Sequence, residues 1–209
     1  MSGVIVGAFI WATQQKALKE YTRIIYFHVP VSWITVLAFL IAAVYSFLYL
    51  KKRLLKYDAY AEAANQLGFL FAVLATVTGS IWAKVSWGTF WNWDPRETSI
   101  FILLLIYAAY FALRSAIEEQ DRRAILSSVY AILAFVTVPF FVFIVPRIYF
   151  SLHPDPVINQ TGEVNMDFKQ RVVFFSSLIT FTAVFVWMLK TKFEIAVMRL
   201  RIKKLEREK

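Results

Sequence analysis

The sequence contains no cysteine, which excludes disulfide scaffolds, thiolate metal sites, iron–sulfur clusters and cofactor attachment through a CxxCH motif. It also shows no catalytic dyad or triad and no glycine-rich phosphate-binding motif. Acidic residues number only 14 against 23 lysines and arginines. The resulting net charge of +9 would indicate nucleic acid binding in a soluble protein.

Hydrophobic residues, by contrast, make up 59% of the chain, and the mean hydropathy is +0.58. The charges lie between long apolar runs, and a membrane-spanning helix needs about 20 apolar residues. We therefore predict an all-α polytopic membrane bundle of six helices in a single domain, residues 1–209. The first run is short, Gly3 to Thr13, and five longer runs follow: Val29 to Leu50, Ala61 to Ala83, Thr98 to Leu113, Ala124 to Pro146 and Val172 to Leu189.

The distribution of basic residues predicts the orientation in the membrane. The connections on one side, together with the C-terminal tail, carry fifteen lysines and arginines, and those on the other side carry eight. We predict that the first side is cytoplasmic, with the C-terminus inside. This topology explains the positive charge without nucleic acid. The outer face then receives His28, the connection 82–98 and His153.

The C-terminal tail, residues 190–209, alternates apolar and basic side chains. An amphipathic helix lying on anionic lipid is the simplest interpretation. Docking to a cytoplasmic partner is the alternative.

The outer connection 82–98 contains four of the seven tryptophans: Trp82, Trp87, Trp91 and Trp93. One interpretation is an aromatic belt, because tryptophan is enriched at the membrane–water interface. A belt needs only one or two rings per helix end, however. The density of rings fits equally well an aromatic platform for a large planar ligand.

The segment Asp94-Pro95-Arg96-Glu97 has the pattern of a helix start. Aspartate is a favoured N-cap, proline a favoured first helical residue, and a glutamate three residues after the cap reaches back to it. We predict that Asp94 mainly caps the fourth long helix. Contact with a ligand would be its second role.

The two histidines, His28 and His153, are both predicted to lie on the outer face. Either one alone is most simply a solvated polar residue. Together, two imidazoles from distant segments match the two axial positions of heme iron. Zinc normally takes three or four ligands, and the sequence offers no third histidine. The pair therefore favours heme b, bound non-covalently.

Three cations, Lys84, Arg96 and Arg147, are predicted on the outer face against the orientation rule. The two propionates of heme would be suitable partners for such groups, especially Arg96 or Arg147. Simple solvation remains the other interpretation of each cation.

Residues 87–94 read WGTFWNWD and match the WGxxWxWD signature of the WWD-domain heme-handling proteins of cytochrome c maturation. Within that superfamily, three further segments resemble the heme exporter protein C (CcmC) family: residues 23–30 (RIIYFHVP), 77–80 (VTGS) and 151–153 (SLH). The resemblance covers about residues 21–189.

The resemblance implies a six-span fold in the inner (plasma) membrane that binds heme at the external, periplasmic side. His28 and His153 are in the positions of the family's axial ligands. It also implies presentation of heme to a membrane-anchored heme chaperone (Ccm E-type). ABC transporter subunits (Ccm A/B-type) and a small single-span subunit (Ccm D-type) are the further implied partners. Such a protein positions the heme and contributes no nucleophile of its own. The sequence therefore leaves open whether it is an enzyme.

Two features depart from the family pattern. The first span is short, and residues 94–98 (DPRET) resemble the version in the larger CcsA-type heme synthetases, which use additional histidines that this chain lacks. A CcsA-like component is therefore one alternative. A heme or solute transporter subunit is another, although the spans contain few polar groups. A structural membrane subunit whose tryptophans only anchor loops is the third.

Overall fold

The computed structural model describes residues 1–13, 19–153 and 166–207, and this part of the chain is helical with no strand. The all-α prediction is confirmed. The helices are α1 (Ser2–Val6), α2 (Ile25–Lys52), α3 (Leu55–Trp87), α4 (Pro95–Ala116), α5 (Gln120–Pro139), α6 (Val145–Ile148) and α7 (Phe168–Arg207). A π-helical turn, Gly7–Trp11, extends α1, and a 3-10 helix, Lys19–Ile24, precedes α2.

Five helical segments in the described ranges are long and apolar enough to cross a membrane, which confirms the predicted helical membrane bundle. The predicted short first helix is present as the apolar segment Ser2–Trp11. Its Ala8 is buried in a small cluster with Tyr26 of α2 and with Val173 and Phe174 of α7.

The helices α2, α3 and α7 enclose the largest core cluster, which includes Ile34, Leu67 and Phe185. A second cluster joins α2, α4 and α5. There the ring of Phe39 stacks on Tyr107, with ring centroids 3.4 Å apart, and it also covers Gly68. A Cβ at Gly68 would lie 2.5 Å from Phe39, so glycine is what lets α2 and α3 approach at this point.

The connection between α3 and α4 is shorter than the predicted loop 82–98. Helix α3 continues through Trp87 and ends at Gly88, whose positive φ of 85° suits glycine. Because no glycine or proline precedes Gly88 within four residues, nothing in that stretch ends the helix earlier. The connection therefore comprises residues 88–94, and Trp82 and Trp87 lie on the last turns of α3.

The tail forms the continuation of the last span, because α7 is one helix of 40 residues. The predicted helix is present, while its placement on lipid stays a prediction. Phe193 stacks on Tyr60 of α3 with ring centroids 4.2 Å apart, and Lys192 donates a 2.6 Å hydrogen bond to Gln66. The first part of the tail is thus packed against the bundle.

Between α5 and α6 the chain is π-helical over Phe140–Ile144. Pro139 ends α5 and Pro146 lies in α6, on either side of this segment. Proline lacks the amide hydrogen of the i to i−4 bond, so two prolines seven residues apart disturb the α-helical register between them.

The end of the bundle away from the α3–α4 connection contains a buried ion pair that the sequence did not predict. Arg114, in the last turn of α4, donates two hydrogen bonds of 2.8 and 2.7 Å to the carboxylate of Asp58 in α3. A third bond of 2.9 Å reaches Glu62. Both guanidinium and Asp58 carboxylate are buried, and the bidentate geometry satisfies them.

Candidate functional site

A cavity of about 280 Å³ lies beside the α3–α4 connection, between α2, α3, α4 and the π-helical segment. Both histidines of the chain line it, although they are 125 positions apart. The other lining residues used below are Gly79, Trp91, Arg96, Glu97 and Ser99. The described fold thus brings together the two imidazoles, one of the tryptophans and one of the cations singled out in the sequence.

His28 lies in the first turns of α2 and faces α3. Its Nδ1 is 3.0 Å from the hydroxyl oxygen of Thr78, which itself donates to the carbonyl of Leu74 at 2.8 Å. Since that hydroxyl proton is used, the oxygen accepts from Nδ1–H, and the ring's lone pair is on Nε2. Gly79 makes room for the ring, because a Cβ there would lie 2.9 Å from the imidazole Cε1.

His153 follows α6 and packs among tryptophans of α3. Its ring centroid is 4.8 Å from that of Trp87 and 5.4 Å from that of Trp82. Its Nδ1 lies 3.2 Å from the Oδ1 of Asp94. A carboxylate only accepts hydrogen bonds, so Nδ1 carries the proton and Nε2 the lone pair of the neutral ring.

Asp94 caps α4 as predicted, and the capping box with Glu97 is complete. The same carboxylate accepts 2.7 Å and 2.9 Å hydrogen bonds from the amide of Leu152 and the hydroxyl of Ser151. Burial raises the pKa of Asp94, but the hydrogen bonds from Arg96 N–H, Leu152 N–H and Ser151 outweigh burial and leave the pKa below its usual value. One charged carboxylate therefore joins the start of α4 to the segment that carries His153.

Burial and the nearby positive charge of Arg96 lower the pKa of His153 from 6.5 to about 4, although Asp94 acts in the opposite direction. The imidazole is therefore neutral near pH 7. A neutral imidazole has the lone pair that a metal ligand needs.

The tryptophans form two clusters rather than one flat platform. Trp82 and Trp87 meet edge to face at an interplanar angle of 81°, beside His153. Trp91 and Trp93 meet at 89°, against Phe101 of α4. Trp91 lines the cavity, whereas Trp93, with a positive φ of 62°, is 67% exposed. Perpendicular packing is a favoured geometry for aromatic pairs, which accounts for the difference.

The three outer cations differ in position. Arg96 lines the cavity. Lys84 donates to the carbonyl of Gly88 at 2.8 Å and lies over the ring of Phe90. Arg147 donates to the carbonyl of Phe143 and is not among the lining residues. Of the two predicted propionate partners, only Arg96 therefore lies at the cavity.

Within the described part of the chain, Oε1 of Glu97 and the hydroxyl of Ser99 are buried polar atoms of lining residues without a hydrogen-bond partner. Buried polar atoms are nearly always paired. The donor set of the cavity, two imidazoles with Nε2 lone pairs, a cation and a tryptophan, fits heme. The space that Gly79 leaves for the His28 ring also fits heme binding.

Three contributors to the site were not predicted as site residues: Thr78, Gly79 and Ser151. Thr78 and Gly79 lie in an apolar span, and the signal for them is a glycine inside a helix, where it costs about 1 kcal/mol relative to alanine. For Ser151 the sequence offers its place in the family-like segment 151–153, but not its role, since that depends on a contact with Asp94 across 57 positions.

The sequence matches the heme exporter protein C (CcmC) family over residues 1–208. The heme exporter protein C of Rhodobacter capsulatus is 30% identical over 205 residues, which are 94% of this chain and 82% of that protein. A putative cytochrome c biosynthesis ccmC-like mitochondrial protein of Marchantia polymorpha is 31% identical over 163 residues, 78% of this chain and 68% of that protein.

Similarity to CcsA is more local. The cytochrome c biogenesis protein CcsA of Pelargonium hortorum is 33% identical over 95 residues, 45% of this chain and 29% of that protein. The family match, by contrast, runs through nearly the whole sequence. This chain belongs to the heme exporter protein C (CcmC) family.

Proposed function

We propose that this protein binds heme b non-covalently in the cavity between α2, α3, α4 and the π-helical segment, and presents it to a heme chaperone. Membership of the family establishes a role in heme handling for cytochrome c maturation. The observation that carries the finer proposal is that both histidines line one cavity. In each of them the Nδ1 already has an acceptor.

His28 and His153 are the proposed axial ligands of the heme iron, each through Nε2. Metal-ligating histidines usually donate their other ring N–H to a carboxylate or another acceptor, which fixes the tautomer and the ring orientation. Thr78 and Asp94 are such acceptors. With these acceptors in place, each imidazole would offer the lone pair of its Nε2 to the iron.

The tryptophans and Arg96 are the proposed contacts of the macrocycle. Trp91 packs on it from within the cavity, and Trp82 and Trp87 support His153. Arg96 meets a propionate, since a guanidinium is the preferred partner of a carboxylate. Trp93 and Arg147 lie outside the cavity, so we assign them to its rim. A cavity of about 280 Å³ holds only part of a porphyrin, which leaves an edge for a recipient protein.

The proposal also includes the partners of the protein and the side of the membrane on which the site lies. The recipient is a membrane-anchored heme chaperone, and ABC transporter subunits and a small single-span subunit complete the assembly. The site faces the periplasm from the inner membrane, as the excess of basic residues on the other face predicts. No residue of the chain acts as a nucleophile in this scheme.

The absorption spectrum of the purified protein tests the proposal. We expect a Soret band in the wild type and less bound heme per protein in both His28→Ala and His153→Ala. Size-exclusion profiles identical to the wild type would show that the variants are folded. A colourless wild type from heme-replete cells contradicts the proposal, as does full heme loading in both variants.

A pair of arginine variants tests the propionate contact. Arg96→Gln should weaken heme affinity, whereas Arg147→Gln, a matched loss of one outer guanidinium, should leave it near the wild-type value. Heme titration followed at the Soret band measures both. Equal affinity in the two variants would contradict the role of Arg96.

A further inference from the structure

The two histidines are held by acceptors of different charge, and we infer that Thr78 and Asp94 are positioning residues that make His153 the stronger donor to the iron. This inference rests on the proposed function. What it adds is an asymmetry between the two ligands.

The acceptor of His28 is neutral. The Thr78 hydroxyl lies 3.0 Å from Nδ1 and donates its own proton within α3, to the carbonyls of Leu74 and Ala75. A threonine in this state fixes which nitrogen carries the proton. It adds no full negative charge behind the ring.

The acceptor of His153 is an anion. The Asp94 side chain is 1% exposed and lies 3.2 Å from Nδ1 through Oδ1. Hydrogen bonds from the amides of Arg96 and Leu152 and from the hydroxyl of Ser151 hold the carboxylate in place. Together with the contact to His153, these hydrogen bonds fix the anion behind the ring.

A carboxylate behind a ligating imidazole raises its basicity and strengthens its bond to the metal. A hydroxyl has a smaller effect, since a hydrogen bond to a charged acceptor is roughly twice as strong as one between neutral groups. The bond from iron to His153 should therefore be stronger than the bond to His28. Substitutions of such acceptors typically cost about 10–100-fold in metal affinity.

Resonance Raman spectroscopy of reduced, heme-loaded single-histidine variants measures the iron–nitrogen stretch of each ligand separately. In His28→Ala only His153 remains, and in His153→Ala only His28 remains. We expect the iron–nitrogen stretch at a higher frequency in His28→Ala. Adding Asp94→Asn to His28→Ala should lower that frequency, because asparagine also caps helices well but has no charge.

The substitutions at residue 78 supply the matched control. Thr78→Val keeps the shape of the side chain and removes the acceptor, so heme affinity should fall about 10-fold or more. Thr78→Ser keeps the hydroxyl, so its heme affinity should be close to that of the wild type. A threonine needed only for packing would give the opposite order, with valine tolerated better than serine.

Where a single-histidine variant releases its heme, the reduction midpoint of the two-histidine protein gives the same comparison. Asp94→Asn should raise the midpoint more than Thr78→Val does, because the weaker donor stabilises ferric iron less. Equal stretching frequencies, or no change on Asp94→Asn by either method, would overturn the inference in a protein that still binds heme. A wild type without a Soret band overturns the proposed function, and the inference with it.

Discussion

Gly79 shows how a single missing side chain shapes the candidate site. It lies opposite His28, and only hydrogen atoms fit between the two residues, since a Cβ would come within 2.9 Å of the imidazole. The position of the ring in α2 is thus determined by a residue of α3.

Gly79→Ala should therefore reduce heme binding while preserving the fold. The added methyl group displaces the His28 ring, whereas alanine favours the helix itself by about 1 kcal/mol. Heme per protein and the melting temperature measure the two effects. Gly3→Ala is the matched control, because nothing lies within 4 Å of a Cβ there. Unchanged heme loading in Gly79→Ala would show that the ring tolerates the displacement.

His153 gives the folded protein a dependence on pH. Its pKa is lowered from 6.5 to about 4 by burial and by Arg96, so between these values the unfolded chain binds a proton that the folded chain does not. The contribution of this group to stability is full above pH 6.5 and is lost as pH falls towards 4. The melting temperature of the heme-free protein should decrease over that window, and less steeply in His153→Gln. Parallel curves for the two proteins would contradict the prediction.

At the residue scale, the sequence predicted the types of group but not their contacts. The sequence contains only two histidines, four of its seven tryptophans fall within residues 82–98, and Arg96 lies against the orientation rule; these features identify the candidates. The hydroxyl residues Thr78 and Ser151 are common polar residues, and only the folded chain shows that Thr78 accepts from His28 and that Ser151 donates to Asp94.

At the scale of the helices, the buried pair of Asp58 and Arg114 explains why α3 begins earlier than its apolar run. The run starts at Ala61, yet the helix starts at Leu55. A carboxylate in the first turn is accommodated inside the bundle because the guanidinium of α4 meets it in bidentate geometry. Hydropathy alone cannot reveal such a pairing, since it counts both groups as unfavourable.

Breaking this pair should destabilise the bundle and leave the site intact. Arg114→Met leaves the buried Asp58 carboxylate without its guanidinium, a change that costs about 3–5 kcal/mol. The double variant Arg114→Met with Asp58→Leu should recover most of the loss. Thermal unfolding in detergent measures the stability, and heme per folded protein should stay constant. A double variant as unstable as the single one would show that the charge left behind is not the cause.

The helix starts and stops of the outer end were only partly predictable. The capping box of Asp94 and Glu97 was evident in the sequence because each position has a strong preference. The end of α3 was placed too early, because tryptophans at an interface were interpreted as a loop, whereas Gly88 is the residue that ends the helix.

At the scale of the whole molecule, composition was sufficient for the helical membrane bundle. Five long apolar runs gave five helices of spanning length in the described ranges, and the short first run gave a short helix. The continuity of α7 is not evident from the sequence, because the basic residues after Leu189 are typical of the end of a membrane span. Packing of Phe193 on Tyr60 keeps the helix going past that boundary.

The absence of cysteine makes the predicted orientation simple to test. Single cysteines at Thr89 and Glu118 would occupy exposed positions in connections at opposite ends of the bundle. A membrane-impermeant maleimide should label Thr89→Cys in cells with a permeabilised outer membrane. It should label Glu118→Cys only after the inner membrane is opened, and the reverse pattern would invert the topology.

The π-helical segment between Pro139 and Pro146 makes one side of the bundle more compliant than the others. Proline nitrogens donate nothing, so the carbonyls of Phe135 and Val142 lose their usual helical donors. Phe141 and Val142 of this segment line the cavity, together with residues of α2, α3 and α4. Because the two prolines leave this segment with fewer helical hydrogen bonds, its backbone is the part of the cavity lining that can adjust most easily to a large ligand.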